Sequence, residues 1–129
     1  MLEVYIDGAS AGNPGPSGAG IFIKNAGKTE SYSFPLGVME NHEAEFHALI
    51  KALEICSKTN ASIVSIRSDS SAVVQAVEKQ FVRNEKYRLL LDKILHMITG
   101  FELFFIKWIS AKENKQADIL AKEAIHLNQ

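Results

Sequence analysis

Four acids of this 129-residue chain stand where ordinary patterning does not ask for a charge. Asp7 follows the alternation Leu2, Val4, Ile6, and Asp69 closes the β-rich run "SIVSIRSD". Glu45 falls in the middle of a helical apolar face formed by Ala48, Leu49, Ala52, Leu53 and Cys56, and Asp118 borders the apolar arc of a final helix. A carboxylate on an apolar face loses its water and must be answered by donors or a cation. Each acid also has an ordinary reading. Glu45 could take a backbone amide at its helix start, Asp7-Gly8 is a common turn pair, Asp69 or Ser70 could cap the next helix, and Asp118 suits a first helical turn. Together the four could converge from two strand ends and two helix beginnings. Like charges that close raise one another's pKa, and divalent cations resolve the conflict. An all-oxygen donor set suits Mg²⁺ or Mn²⁺, and two such ions 3.5–4 Å apart form the in-line phosphoryl-transfer device of nucleases and polymerases.

The elements that must position these acids follow from the periodicities. Leu2 to Ile6 is a strand ended by Asp7-Gly8, and "SGAGIFIKNAGKTESYSFPLG" holds two more strands around Asn25-Ala26-Gly27, so residues 2–37 read as three strands joined by hairpins. From Asn41 to Lys58 the repeat is helical, with Asn41 as N-cap and Glu43 and Glu45 in the first turn. A strand "SIVSIRSD", a short helix "SSAVVQAVEKQ" and a helix from Glu85 to Thr99 stopped by Gly100 come next. "FELFFIKWI" reads as a fully apolar strand, in which Trp108 is a packed indole rather than a surface for a sugar. Asn114 to Leu127 is the closing helix, and Met97 and Leu89-Leu90-Leu91 are core. The order β-β-β-α-β-α-α-β-α gives one mixed α/β domain over residues 1–129, part antiparallel and part parallel. Asp7 and Asp69 then lie at carboxyl strand ends, where open α/β sheets gather ligands.

Bulk properties narrow the chemistry. The formal net charge of −1 gives no global field for a polyanion, so any nucleic-acid contact must be local. One cysteine, Cys56, excludes an internal disulfide, and the four histidines offer no zinc spacing. No run approaches the ~18 apolar residues of a membrane span, and "MLEVYID" lacks a signal pattern. These features predict a cytoplasmic protein with no membrane partner, taken as a monomer.

"YIDGASAGNPGPSGAG", "NHEAEFHALIKALE", "IRSDSSAVV" and "WISAKENKQADILA" resemble, in order and over nearly the whole chain, type 1 ribonuclease H, including its reverse-transcriptase-like cellular branch. The resemblance implies a ribonuclease H-like fold: a five-stranded mixed sheet, three strands antiparallel and the rest parallel, flanked by helices. It also implies an endonuclease that cuts the RNA strand of an RNA/DNA hybrid, leaving 5′-phosphate and 3′-hydroxyl ends. The family's catalytic, metal-binding acids fall on Asp7, Glu45, Asp69 and Asp118, which would hold two Mg²⁺ or Mn²⁺ ions. Gly8, Ala9, Ser10, Gly12 and Asn13 resemble the loop against the hybrid's minor groove, where backbone can approach the 2′-hydroxyls. Asn41, His42, Ser71 and Lys112 complete the implied substrate contacts. Proofreading exonucleases differ, because they carry a second acid two residues after the first, and here Asp7-Gly8-Ala9 has none.

Three departures from the family pattern bear on activity. Lys112 stands near the place of a loop histidine that assists proton transfer or product release, and a lysine is a poor shuttle near neutral pH. Asn41-His42 replaces an Asn-Asn pair. "EKQFVRNEKYR" is short and mixed in charge where some members carry a basic protrusion, which leaves Lys107, Lys112 and Lys115 as the cations nearest substrate and predicts weak, salt-dependent hybrid binding. The alternative reading is a weakly active or non-catalytic domain of the same fold that binds nucleic acid or a protein.

Overall fold

A computed structural model describes residues 1–128. The elements are β1 (Leu2–Ser10), β2 (Gly15–Asn25), β3 (Lys28–Met39), α1 (Asn41–Ser57), β4 (Ile63–Ser68), α2 (Ser71–Lys79), α3 (Glu85–Ile98), β5 (Leu103–Trp108) and α4 (Lys115–Ile125). They form one five-stranded sheet in the order β3-β2-β1-β4-β5. β1, β2 and β3 pair antiparallel, and β1–β4 and β4–β5 pair parallel. This is the mixed sheet expected.

The β2–β3 turn is two residues, Ala26 and Gly27, both at positive φ (52° and 83°), the mirror-image turn whose twist matches the strands. β1 runs further than the sequence suggests. Asp7-Gly8 does not end it; Asp7, Gly8, Ala9 and Ser10 stay paired with Gly20, Ala19, Gly18 and Ser17 of β2. The parallel β1–β4 ladder stops at Ile6–Ser68. Asp7 is therefore the first β1 residue beyond the ladder, with backbone on one side only.

Neighbouring residues of a strand point to opposite faces, and the glycines show which helix covers each. A Cβ on Gly8 would stand 2.4 Å from the Ala44 backbone of α1, whereas one on Gly20 would stand 2.2 Å from Ala117 O and 2.4 Å from Ala121 N of α4. Gly20 is the partner of Asp7, so α1 and α4 lie on opposite faces. Between α1 and the sheet, Val4, Ile6, Ile21, Phe46, Leu49, Leu53, Val64 and Ile66 are essentially excluded from water. α3 closes this layer with Leu91 and Ile94.

Several local expectations are corrected. The N-cap of α1 is Glu40, which forms a capping box with Glu43, and Asn41 is already helical. α4 starts at Lys115 after a 3₁₀ turn over Ala111–Glu113. β5 is an edge strand, so its apolar run is not enclosed: Leu103, Phe105 and Trp108 are each about half exposed. Leu89 is exposed and only Leu91 of the leucine run is buried, because α3 rests on α1 by one stripe. Met97 and Leu90 pack partly against the core.

Gly20→Ala should cost about 2–3 kcal/mol, since the added methyl meets α4 backbone that has no flexible end to move. Urea unfolding measures it; a loss under about 0.5 kcal/mol would mean that α4 shifts freely on the sheet.

Candidate active site

The site forms where β1 outruns β4. Asp7 (7% exposed) leaves the parallel ladder, and Glu45 (9% exposed) comes from the second turn of α1. Gly8 lets α1 approach closely enough for its own N–H to donate to Glu45 Oε1 at 2.8 Å. The donor is thus a strand amide and not one at the helix start. Asp69 follows β4. It does not cap α2, because Ser70 does, its hydroxyl accepting from Val73 N at 3.3 Å. One carboxylate oxygen from each of Asp7, Glu45 and Asp69 lies within 4.8 Å of the others.

Asp118 stands outside this trio but still acts on it. Its side chain bonds to Asp7 and adds to the negative field there. Its Oδ2 also pairs with Lys122 Nζ at 3.0 Å, one turn along α4, with both side chains well exposed. The structure therefore brings three acids into one point and leaves the fourth at its rim.

Crowding shows in the proton equilibria. Burial first, then the charges of Glu45 and Asp69 and the bond and charge of Asp118, push Asp7 up to about 9. Burial also raises Glu45, to about 7, against the Gly8 amide and bonds from Asp7 and Ser70 that favour its charge. Without a cation, burial and crowding favour the protonated form of Asp7 most and of Glu45 next. Three oxygen donors that cannot all ionise unaided, with no cysteine or histidine among them, fit hard divalent cations.

The remaining candidates are distributed around this point. The Ser10 hydroxyl is turned inward, to the carbonyls of Gly12, Gly15 (3.3 Å) and Met39 (3.0 Å). Ala9 is paired within β1–β2, and Gly12 has no room for a Cβ beside Pro14 O. Asn13 Oδ1 accepts from Asn41 N at 3.0 Å, tying the exposed 11–14 turn to the start of α1. His42 lines an apolar groove with Phe46, Val82 and Tyr87, and Ser71 is exposed as the first residue of α2. Lys112 and Lys115 line a separate cavity of about 160 Å³ with Tyr5, Phe22 and Lys24. Lys107 sits on β5 opposite Arg67.

Sequence reasoning passed over two contacts. Gly8 was legible as a turn or loop residue but not as the donor that holds Glu45. Trp108 is not packed in the core: it is 53% exposed, with its indole N–H donating to the Asp69 carbonyl at 3.2 Å. The register Ser68–Trp108 carries that pairing, and no sequence period reports register.

A mixed sheet with acids gathered where its central parallel strands end defines the ribonuclease H-like class of hydrolases. Residues 5–124 match the family described as reverse transcriptase-like, and the chain belongs to this family of type 1 ribonucleases H. EbsB of Enterococcus faecalis, whose hydrolase designation is provisional, is 42% identical over 97% of this chain and 94% of its own length. The crystal structure of RNase H1 from the halophilic archaeon Halobacterium salinarum superposes with a TM-score of 0.91 at 30% identity, covering 97% of each chain. LC11-RNase H1, solved in complex with RNA/DNA hybrid, gives 0.89 at 30% identity over 98% of each chain.

The raised acids fix the sign of a pH dependence. A group with folded pKa above its unfolded value stabilises below the unfolded value and loses that contribution as pH rises to the folded one. In EDTA, stability should therefore fall between pH 4 and about 9, the interval spanned by Asp7. Asp7→Asn should raise the melting temperature at pH 8.5 by on the order of 5 °C and flatten the slope. Thermal melts at pH 5, 7 and 8.5 test this; a wild-type slope of the opposite sign would show that the acids are not crowded in solution.

Proposed function

We propose that this chain is a divalent-metal-dependent endoribonuclease that cuts the RNA strand of RNA/DNA hybrids and leaves 5′-phosphate and 3′-hydroxyl ends. The observation that carries the reading is the meeting of Asp7, Glu45 and Asp69 within 4.8 Å at a sheet edge where two of them are held partly protonated. Membership of the ribonuclease H family and the likeness to a hybrid-bound LC11-RNase H1 supply the substrate class.

Asp7, Glu45 and Asp69, with Asp118 beside them, would hold two Mg²⁺ or Mn²⁺ ions. When bound, such ions activate water and neutralise charge on the phosphate and leaving oxygen. The chain's own groups do the rest. The Gly8 amide fixes Glu45, the Ser70 hydroxyl leaves Asp69 free by capping α2, and the capping box of Glu40 and Glu43 fixes the start of α1. The turn 11–14, tied to Asn41 through Asn13, offers backbone to the minor groove. Lys112, on its 3₁₀ turn, supplies a cation to steer phosphate.

A second reading has its own observation. Lys86 is drawn into ion pairs with Glu40 at 2.5 Å and Glu43 at 3.4 Å, which removes a cation from the α1–α3 side of the molecule. On this reading the loss of that cation leaves the domain binding hybrid weakly and turning over slowly, or not at all.

A labelled hybrid incubated with Mg²⁺ or Mn²⁺ should be cleaved in its RNA strand only, with Asp69→Asn at least 100-fold slower. Raising salt from 50 to 200 mM should weaken binding steeply, because phosphate contacts release counterions. Equal cleavage by both proteins would reject the reading, and binding without cleavage in either metal would favour the second.

A further inference from the structure

We propose that Trp108 is a substrate-contacting residue of this site: its ring forms a fixed stacking surface for the sugar–base unit of the RNA strand that adjoins the phosphate held at the acids. The inference rests on the functional reading above. Three features of the structure point to it. First, position: Trp108 ends β5 level with Ser68, and its indole N–H bonds at 3.2 Å to the carbonyl of Asp69, a member of the acid trio. The ring is thereby within one residue's reach of the cluster.

Second, exposure. An indole in an apolar strand should turn into the core, yet Trp108 is 53% exposed. The adjacent Ile109 occupies the interior instead (6% exposed), and its N–H bonds to Ser68 O at 2.9 Å. With the next residue anchored inward, the ring is held at the rim. Third, rigidity. The bond to Asp69 O restrains a side chain of only two torsions, so little conformational freedom is lost when a partner lies against it. A flat, apolar, immobilised ring beside a phosphate-handling site matches nucleotide sugars and bases, which stack on aromatic residues without regard to sequence.

Trp108 is the chain's single tryptophan, so its fluorescence is a private signal. Hybrid added to the Asp69→Asn protein with Mg²⁺ should quench that emission, since the substitution leaves the Asp69 carbonyl in place. Trp108→Ala should raise KM for hybrid roughly tenfold, with kcat changed less than about threefold, and Trp108→Phe should recover most of the KM because it keeps a flat ring. A role confined to positioning Asp69 would instead lower kcat in both variants. Unchanged melting temperatures would confirm that both variants fold. If the wild type cleaves hybrid while Trp108→Ala matches its KM, or if bound hybrid leaves the emission unaltered, the inference is overturned and the functional reading stands. A wild type that neither binds nor cleaves hybrid overturns both.

Discussion

A carboxylate taken out of water must be met by a donor, and in this fold the donor is a strand amide. Glu45 is 9% exposed, and the Gly8 N–H reaches it at 2.8 Å only because α1 lies against β1 without an intervening Cβ. That approach settles much else. It brings α1 to the edge where β1 leaves the ladder, sets Glu45 beside Asp7, and leaves the pair too crowded to ionise fully. An alanine at position 8 would strike the Ala44 backbone and separate the two acids before it disturbed the core. The site's chemistry is thus a by-product of a packing decision made one residue away.

The opposite face repeats the device for another purpose. Gly18 and Gly20 of β2 leave no side chain between the sheet and α4, so Ala117, Ala121 and Ala124 lie almost on the strand. Small residues on both partners bring the helix start, and Asp118 with it, towards Asp7. Asn114 steadies the same junction, donating its side-chain amide to Ile6 O at 2.8 Å. Two helices approach the sheet from opposite faces, α1 over Gly8 of β1 and α4 over Gly18 and Gly20 of β2, and bring Glu45 and Asp118 to either side of Asp7.

What the sequence discloses follows from what periodicity can carry. Glu45 was conspicuous because a charge interrupts an apolar face of period 3.6, and the chain order of strands and helices implied a sheet part antiparallel and part parallel, though not the order of its strands. The end of β1 was misplaced because small and glycine residues weaken a strand signal, while pairing to β2 holds Gly8 to Ser10 in the ladder. Trp108 and Leu89 were assigned to the core on hydrophobicity alone. Edge position exposes the first, and the narrow contact stripe of α3 exposes the second. The Gly8–Glu45 and Trp108–Asp69 bonds join residues 37 and 39 apart, a range at which one sequence offers no signal.

The bare glycine stripe of β2 also bears on how the protein is made. Its cover, α4, is the last element in chain order, and Asp118 travels with it. As the polypeptide leaves the ribosome, strands β1 to β3 can pair early, but they present an unshielded backbone patch until the final helix emerges. Completion of the acid set therefore waits for α4, and a nascent chain that has not yet reached it carries the scaffold without Asp118.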